Sequence, residues 1–246
     1  MFNDIQVFKQ KLMALLIAIS IMFVFVHDIY AEEEVIKHFN VDIQLNLDGS
    51  LNITENIKVY AKGNQIKRGI YKSLKKEPGR YYEFLSVTRD GKKEPFYVQN
   101  KGNEIFLYIG RRGYILPEAY YEYEIEYKAY GQLLQEDDYD EIYWNVTGDK
   151  WNFAIESSQC VMRWSEGVEK IKAHAFVGSR GSKGKDYQMF NETNQSIEFI
   201  TTGGLSSYEG WTIGVAFKKG VLSNKLPEKY QEIEEAFQNQ KSRSRS

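Results

Sequence analysis

The residue types that could carry chemistry are few in this chain, and they are widely spaced. Cys160 is the only cysteine, and the only histidines after residue 31 are His38 and His174. Zinc sites draw several Cys and His ligands from closely spaced positions. The segment EDDYDE at 136–141 offers oxygen ligands of the kind that calcium prefers, but it has no glycine-containing EF-hand loop. We therefore expect no metal and no cofactor, and we interpret this segment as a charged loop that leads into a strand.

Patterns for an activated nucleophile are also weak. Ser73 with Lys76, and Ser182 with Lys185, have the S-x-x-K spacing in which a lysine can activate a serine. Neither pair opens an apolar helical segment, and the companion S-D-N and K-T-G motifs are absent. The G-x-S-x-G and H-E-x-x-H motifs are absent too. The sequence therefore predicts no catalytic residues, and we expect that the chain is not an enzyme.

The segment DEIYWNVTGDKW at 140–151 concentrates aromatic and polar side chains. Trp144 lies in an alternating apolar run, which favours a core position, and Gly148-Asp149 has the composition of a turn. The alternative is that Trp144 and Trp151 expose their rings to sugars, beside carboxylates that would serve an envelope glycan hydrolase or transferase. That alternative requires a concave, aromatic-lined cleft with two carboxyl groups close enough to cooperate.

Charge is nearly balanced over the whole chain but uneven along it. The formal net charge is −2, which gives no basic footprint of the kind that nucleic-acid-binding proteins show. Residues 61–93 contain ten Lys and Arg against three acidic residues, and residues 118–141 contain nine acidic residues against one lysine. One interpretation is two sheet faces whose fields partly neutralise each other. The other is a basic patch that contacts an anionic envelope polymer or phospholipid head groups, formed by Lys67, Arg68, Lys72, Lys75 and Lys76.

Residues 1–31 have the composition of a secretory signal. Lys9 and Lys11 precede an apolar run at 12–26 that contains no charged residue, and Ala31 provides a small residue for cleavage before Glu32. A helix over that run would span only about 22 Å of a hydrocarbon layer about 30 Å thick, so cleavage is favoured over a retained signal anchor. We predict an exported protein, either at the outer face of the cell membrane or secreted.

The elements that would position these residues are predicted to be strands. VDIQLNL and LNITENIKV both alternate apolar and polar residues, and the turn Asp48-Gly49-Ser50 joins them, which indicates a hairpin. YYEYEIEYKAY at 120–130 alternates tyrosine and isoleucine with charged residues, which is typical of a sheet with one face in water. Many short strands without alternating helices predict an all-β fold, an antiparallel β-sandwich over residues 32–222.

The last segment, 223–246, has a different pattern. Tyr230, Ile233 and Phe237 recur at helical spacing after Pro227, which predicts a short amphipathic helix. The terminal KSRSRS is polar and basic, and we predict a disordered tail there.

Four motifs of the sequence, taken in order, resemble those of a known bacterial family. VDIQLNLDGSLNITENIKV, KRGIYKSL, DEIYWNVTGDKWNFAIE and EGWTIGVAFKKGV are similar to domain of unknown function 2207, a family of predicted membrane proteins, over about residues 35–222. The resemblance implies an extracytoplasmic β-domain without an established activity. It also implies framework roles for the central-motif positions Asp140, Trp144, Asn145, Gly148 and Trp151, and for Arg68, Gly69 and Ile70 in the earlier motif. Members usually continue into a transmembrane helix, where this chain has PEKYQEIEEAFQNQ and KSRSRS.

These observations predict an exported, membrane- or envelope-associated protein that acts as a binding or interaction module. Its expected partners are membrane or envelope components, such as an anionic polymer or lipid, or a protein in a membrane complex. Nucleic acid is not expected.

Overall fold

The computed structural model describes Met13 and residues 33–243. Apart from Met13, the predicted signal at 1–31 lies outside the described residues, and so do the last three residues. The chain divides into two compact units, Met1–Glu33 and Glu34–Ser246. Among the residues that the structure describes, no helix is both long enough and apolar enough to cross a bilayer.

The described part of the second unit contains fifteen strands followed by one helix. The strands are β1 (Val35–Leu45), β2 (Leu51–Ala61), β3 (Tyr71–Lys75), β4 (Tyr81–Arg89), β5 (Lys92–Lys93), β6 (Phe96–Lys101), β7 (Glu104–Ile109), β8 (Ala119–Tyr130), β9 (Leu133–Gln135), β10 (Tyr139–Asn145), β11 (Ser158–Trp164), β12 (Lys170–Gly178), β13 (Tyr187–Phe190), β14 (Ser196–Thr201) and β15 (Gly210–Lys218). The helix is α1 (Glu228–Arg243).

The strands form three sheets, and this arrangement confirms the predicted all-β class with a short C-terminal helix. The largest sheet has the order β13-β14-β11-β1-β2-β8-β4-β5, the second β12-β15-β10-β9, and the third β3-β7-β6. The pairs of named strands are antiparallel except β1 and β11, which run parallel from Phe39 opposite Ser158 to Leu45 opposite Trp164. Residue alternation does not distinguish the two directions, because both place successive side chains on opposite faces.

The large sheet forms one layer, and the two smaller sheets pack against it through a shared apolar core. Trp211 of β15 donates its indole N–H to the Ser158 hydroxyl of β11 at 2.9 Å. Trp164 of β11 packs edge-on against Phe217 of β15, with ring centroids 5.3 Å apart. Burying rings of this size is a large part of what holds two sheets face to face. Cys160 lies in the same core, where burial raises the pKa of its thiol, as expected for a small buried apolar residue.

Helix α1 docks onto the edge of the large sheet through one residue of its predicted apolar stripe. The Tyr230 ring stacks on Tyr81 at 4.3 Å and contacts Tyr130 at 5.3 Å. Glu234 accepts hydrogen bonds from the Tyr81 hydroxyl at 2.6 Å and the Gly79 N–H at 2.8 Å. Ile233 and Phe237, on the same predicted stripe, remain about half exposed.

Helix α1 continues through Arg243, the third residue of KSRSRS, and disorder of the rest of the tail stays a prediction. Lysine and arginine are good helix formers, and they are favourable near the negative end of the helix dipole. Residues 244–246 lie outside the described residues.

Replacing Tyr230 tests the docking of the helix. Tyr230→Ala removes both aromatic contacts, so we expect the free energy of unfolding to fall by about 1–2 kcal/mol. Phe237→Ala on the exposed side of the same helix is the matched control and should change it by less than about 0.5 kcal/mol. Urea unfolding followed by tryptophan fluorescence measures both variants. Equal effects of the two substitutions would show that the helix is not held through Tyr230.

Candidate functional site

A cavity of about 520 Å³ opens where the three-stranded and four-stranded sheets meet. Its walls come from β3, β10, β12 and β15, together with the loop from Gly178 to Ser182. These segments are far apart in sequence, and the packing of the sheets brings them together. The aromatic side chains in the walls are Tyr82, Tyr143, Trp144, Phe176 and Trp211.

Charged side chains line the cavity with an excess of cations. Five are basic and three are acidic: Lys72, Lys75, Arg80, Lys150 and Arg180 against Glu77, Glu104 and Asp149. Because the buried Glu55 neutralises Lys72 from behind the wall, the formal net charge with that pair included is +1.

Most of these cations are held in ion pairs. Glu77 pairs with both Lys75 and Arg80, and Glu104 pairs with Lys150. The hydrogen bond from Lys75 is the largest contribution that lowers the pKa of Glu77. Arg180 has no ion-pair partner among the described residues. Its guanidinium is therefore the cation on the cavity wall that is most available to an anionic group.

A buried ion pair lies behind the cavity wall. The Lys72 ammonium is 2.9 Å from the Glu55 carboxylate, and both side chains are almost completely buried. Tyr127 donates its hydroxyl to the same Glu55 oxygen at 2.5 Å. Burial and the adjacent carboxylate raise the pKa of Tyr127, so this phenol stays protonated and keeps its role as donor. The Lys72 ammonium also lies 5.3 Å from the centre of the Phe39 ring.

The central motif at 140–151 forms a corner of the core beside this cavity. Trp144 and Trp151 are both buried. Asn145 accepts a hydrogen bond from the Gly148 N–H at 3.0 Å, which closes the turn. Gly148 has a φ of 79°, a left-handed conformation that favours glycine. Trp151 donates its indole N–H to the Thr147 carbonyl at 2.8 Å and packs edge-on against Phe39.

Two polar groups of this motif are buried without a hydrogen-bond partner among the described residues. They are the indole N–H of Trp144, which lines the cavity, and both carboxylate oxygens of Asp140. A buried polar group left unsatisfied costs about 1–3 kcal/mol. The Trp144 N–H is therefore a buried donor whose hydrogen-bonding capacity the described side chains and backbone do not use.

The predicted basic patch does not form one surface. Lys67 and Arg68 are exposed before the start of β3, whereas Lys75 and Lys76 are exposed at its other end. Lys72 lies between them and is only 3% exposed, so its assignment to an exposed patch is corrected. The physical reason is strand alternation, because Lys72 points from β3 toward the large sheet and Glu55.

The burial of three charged residues, Glu55, Lys72 and Asp140, was not predicted from the sequence, although the strand patterns contain a signal for it. Glu55 falls in phase with the buried Ile53 and Ile57 of β2. In the same way Lys72 and Asp140 occupy buried positions of β3 and β10. A charge that falls on the apolar side of an alternating strand indicates a buried partner or a functional site.

The geometry gives the hydrolase or transferase alternative no specific support. Trp144 and Trp151 are buried in the core corner, so neither exposes a ring for stacking. Of the three cavity carboxylates, Glu77 and Glu104 are held in ion pairs, and Asp149 forms none with another described residue. A general acid needs a raised pKa, whereas the pKa of Glu77 is lowered, first by its hydrogen bond from Lys75. That the chain is not an enzyme stays a prediction.

The nucleophile and metal patterns do not gain support either. The Ser182 hydroxyl donates to the Val177 carbonyl at 2.9 Å and accepts from the Gly184 N–H at 3.2 Å, so it stabilises the loop. Over Met13 and residues 33–243, no cluster of three or more His, Cys, Asp or Glu side chains is placed to hold a metal ion.

Comparison with known proteins identifies the family. Residues 35–217 match the model of the family described as predicted membrane protein (DUF2207) N-terminal domain. The chain belongs to this family. It is 33% identical over 164 residues to the uncharacterized protein YciQ of Escherichia coli (strain K12). That alignment covers 63% of this chain and 26% of YciQ, so it spans about a quarter of that relative's length.

Similarity of the DUF2207 domain to solved structures is limited. Yeast LTA4 hydrolase in complex with bestatin aligns with 74% of this chain and 28% of its own, at 10% identity and a TM-score of 0.48. The M1 zinc metallopeptidase of Deinococcus radiodurans aligns with 74% of this chain and 42% of its own, at 10% identity and a TM-score of 0.41. At these values neither likeness bears on the activity of this chain.

Replacing Lys72 tests the buried ion pair. In Lys72→Met, the Glu55 carboxylate stays buried with Tyr127 as its remaining partner. We therefore expect the free energy of unfolding to fall by about 3–5 kcal/mol. The double variant Glu55→Gln with Lys72→Met removes both charges and should recover most of that loss.

Lys75→Met is the matched control, because it removes an exposed cation from the same strand and should cost less than about 1 kcal/mol. Urea unfolding of the four proteins at neutral pH measures the set. A double variant as unstable as Lys72→Met would contradict the assigned role of the charge pair.

Proposed function

We propose that this DUF2207 domain is an exported binding module that holds an acidic glycan of the cell envelope in the cavity between its two smaller sheets. The observation that carries this proposal is the excess of cations on walls that also present aromatic rings. Ligand sites are typically concave, with aromatic walls and a few convergent polar groups that fix orientation. The family's description as predicted membrane proteins supports a location at the membrane.

The aromatic contribution comes from Tyr143. Its ring lines the cavity and is 43% exposed, whereas the indoles of Trp144 and Trp211 are almost completely buried. Tyr143 can therefore offer a ring face to a sugar, and its ring also contacts the His174 ring, with centroids 6.4 Å apart. The exposed amide of Asn145 lies on the same walls, and its NH2 group can donate to a sugar hydroxyl.

The cations supply selectivity for an acidic sugar. Lys75 and Arg80 are held by Glu77, and Lys150 is held by Glu104, so these side chains are positioned before a ligand arrives. Positioning of this kind reduces the entropy lost on binding. Arg180 lies in a glycine-containing loop without an ion-pair partner among the described residues, and a guanidinium can bind a carboxylate with two parallel hydrogen bonds.

Direct titration with defined oligosaccharides tests this function. The probes are oligogalacturonate as an acidic glycan and dextran oligomers as a neutral one, with binding followed by the fluorescence of the wall tryptophans and by calorimetry. We expect oligogalacturonate to bind in a salt-sensitive manner and dextran not to bind. Arg180→Gln and Tyr143→Ala should each weaken binding by about tenfold or more.

The matched control is Arg163→Gln, which removes an exposed arginine of β11 that pairs with Asp42 on the large sheet. It should leave binding unchanged. Absence of oligogalacturonate binding, equal binding of dextran, or an equal loss in Arg163→Gln would each contradict the proposal.

A further inference from the structure

Two loops are locked together at the end of the three-stranded sheet where β3 begins. Ile109 donates its N–H to the Ile70 carbonyl at 2.9 Å, and Leu116 donates to the Lys67 carbonyl at 2.8 Å. Between these bonds the backbones approach so closely that a Cβ on Gly69 would lie 2.0 Å from the Ile109 carbonyl oxygen. A Cβ on Gly110 would lie 1.9 Å from the Arg68 carbonyl oxygen, and both glycines have positive φ. Only glycine fits here, so Arg68 is held beside Arg111.

The joined loops present unpaired cations and exposed apolar side chains together. We define the basic tip as Lys67, Arg68 and residues 111–115. Lys67, Arg68, Arg111 and Arg112 are exposed, and none forms an ion pair with another described residue. Ile115 is 63% exposed and Tyr114 is 44% exposed. Ile115 is thus exposed on the same joined loops as four cations that have no ion-pair partner among the described residues.

Three carboxylates on segments that adjoin the tip are engaged elsewhere. Glu94 pairs with Arg89 at 3.0 Å, and Glu118 accepts the hydroxyl of Tyr60. Glu34 accepts hydrogen bonds from backbone N–H groups of the loop just before Lys67, at 62 and 64–66. Partial burial opposes ionisation of Glu34, but these backbone hydrogen bonds outweigh it and lower the pKa of its carboxyl.

Glu34 also fixes where the chain enters the domain. Its hydrogen bonds hold the start of the domain against the loop that leads directly into Lys67 and Arg68. The apolar run ends at Val26, eight residues earlier. Eight residues of extended chain span at most about 28 Å. Cleavage after Ala31 would remove this tether, whereas retention of the run in a bilayer keeps the basic tip within the reach of the linker.

We propose that the basic tip docks onto an anionic phospholipid bilayer. Its four cations face the phosphate groups, and Ile115 and the ring of Tyr114 enter the boundary between head groups and acyl chains. Each Lys or Arg near an anionic surface contributes favourable electrostatic energy, and an apolar side chain beside such cations adds buried area. Tyrosine suits this depth because its ring is apolar and its hydroxyl is polar.

A fluorophore at the tip tests the docking in the whole chain. Ile115→Cys is labelled with an environment-sensitive NBD maleimide, and the protein is inserted into nanodiscs of phosphatidylcholine alone or mixed with phosphatidylglycerol. Cys160 is fully buried, so the label goes to the introduced thiol. Ile171→Cys is the matched control, since Ile171 is 52% exposed and lies on β12 in a different sheet.

We expect NBD emission at position 115 to rise and shift to the blue only with phosphatidylglycerol, and emission at 171 to stay unchanged. Neutralising the four tip cations to Gln should abolish the rise, since each cation contributes about a fivefold change in the docking equilibrium. High salt should also reduce the rise in emission at position 115, because it screens the cations. The proposal fails if emission at 115 is the same in both lipids, if it survives loss of the cations, or if position 171 responds equally.

Discussion

The Glu55–Lys72 ion pair is the constraint on which the placement of the three-stranded sheet depends. Two charges buried in an apolar core are tolerated only when they meet in good geometry, and here they do so at 2.9 Å with Tyr127 as a further donor. Because Glu55 belongs to the large sheet and Lys72 to β3, the pair fixes β3 against β2. A one-residue slip of β3 would turn Lys72 to solvent and leave Glu55 unpaired.

The same constraint determines what lies on either side of Lys72. One end of β3 carries Lys75 on the cavity wall, and the other end follows the basic tip at Lys67 and Arg68. The contiguous basic segment is thus divided into three parts. Lys67 and Arg68 belong to the basic tip, Lys72 is the buried partner of Glu55, and Lys75 lies on the cavity wall. Reading the segment as one patch failed because side chains on a strand alternate between two faces and its ends are several residues apart.

Much of the fold can be predicted from the local alternation of apolar and polar residues, whereas the cavity cannot. The β1–β2 hairpin was predictable because its turn is encoded locally, with Asp48 accepting a hydrogen bond from the Ser50 N–H at 3.0 Å. The parallel pairing of β1 with β11 joins segments more than a hundred residues apart, and alternation does not identify such partners. The cavity likewise assembles Lys75, Lys150 and Arg180 from separate sheets and loops. The sequence did contain a signal for buried charges, namely a charged residue at a position in phase with the apolar residues of its strand.

The cavity and the basic tip use cations in physically different ways. In the cavity Lys75, Arg80 and Lys150 are paired with carboxylates, which fixes their positions and limits the field they project. Such a wall favours ligands that match its geometry. At the tip the cations are free of ion pairs among the described residues, so their fields add over a distance of about a Debye length, 8 Å at physiological salt. That arrangement favours a broad anionic surface over a shaped ligand. The basic tip lies before β3 and shares no lining residue with the cavity, which runs along Lys72 to Lys75 of that strand, so a lipid surface and a polymer would use different residues.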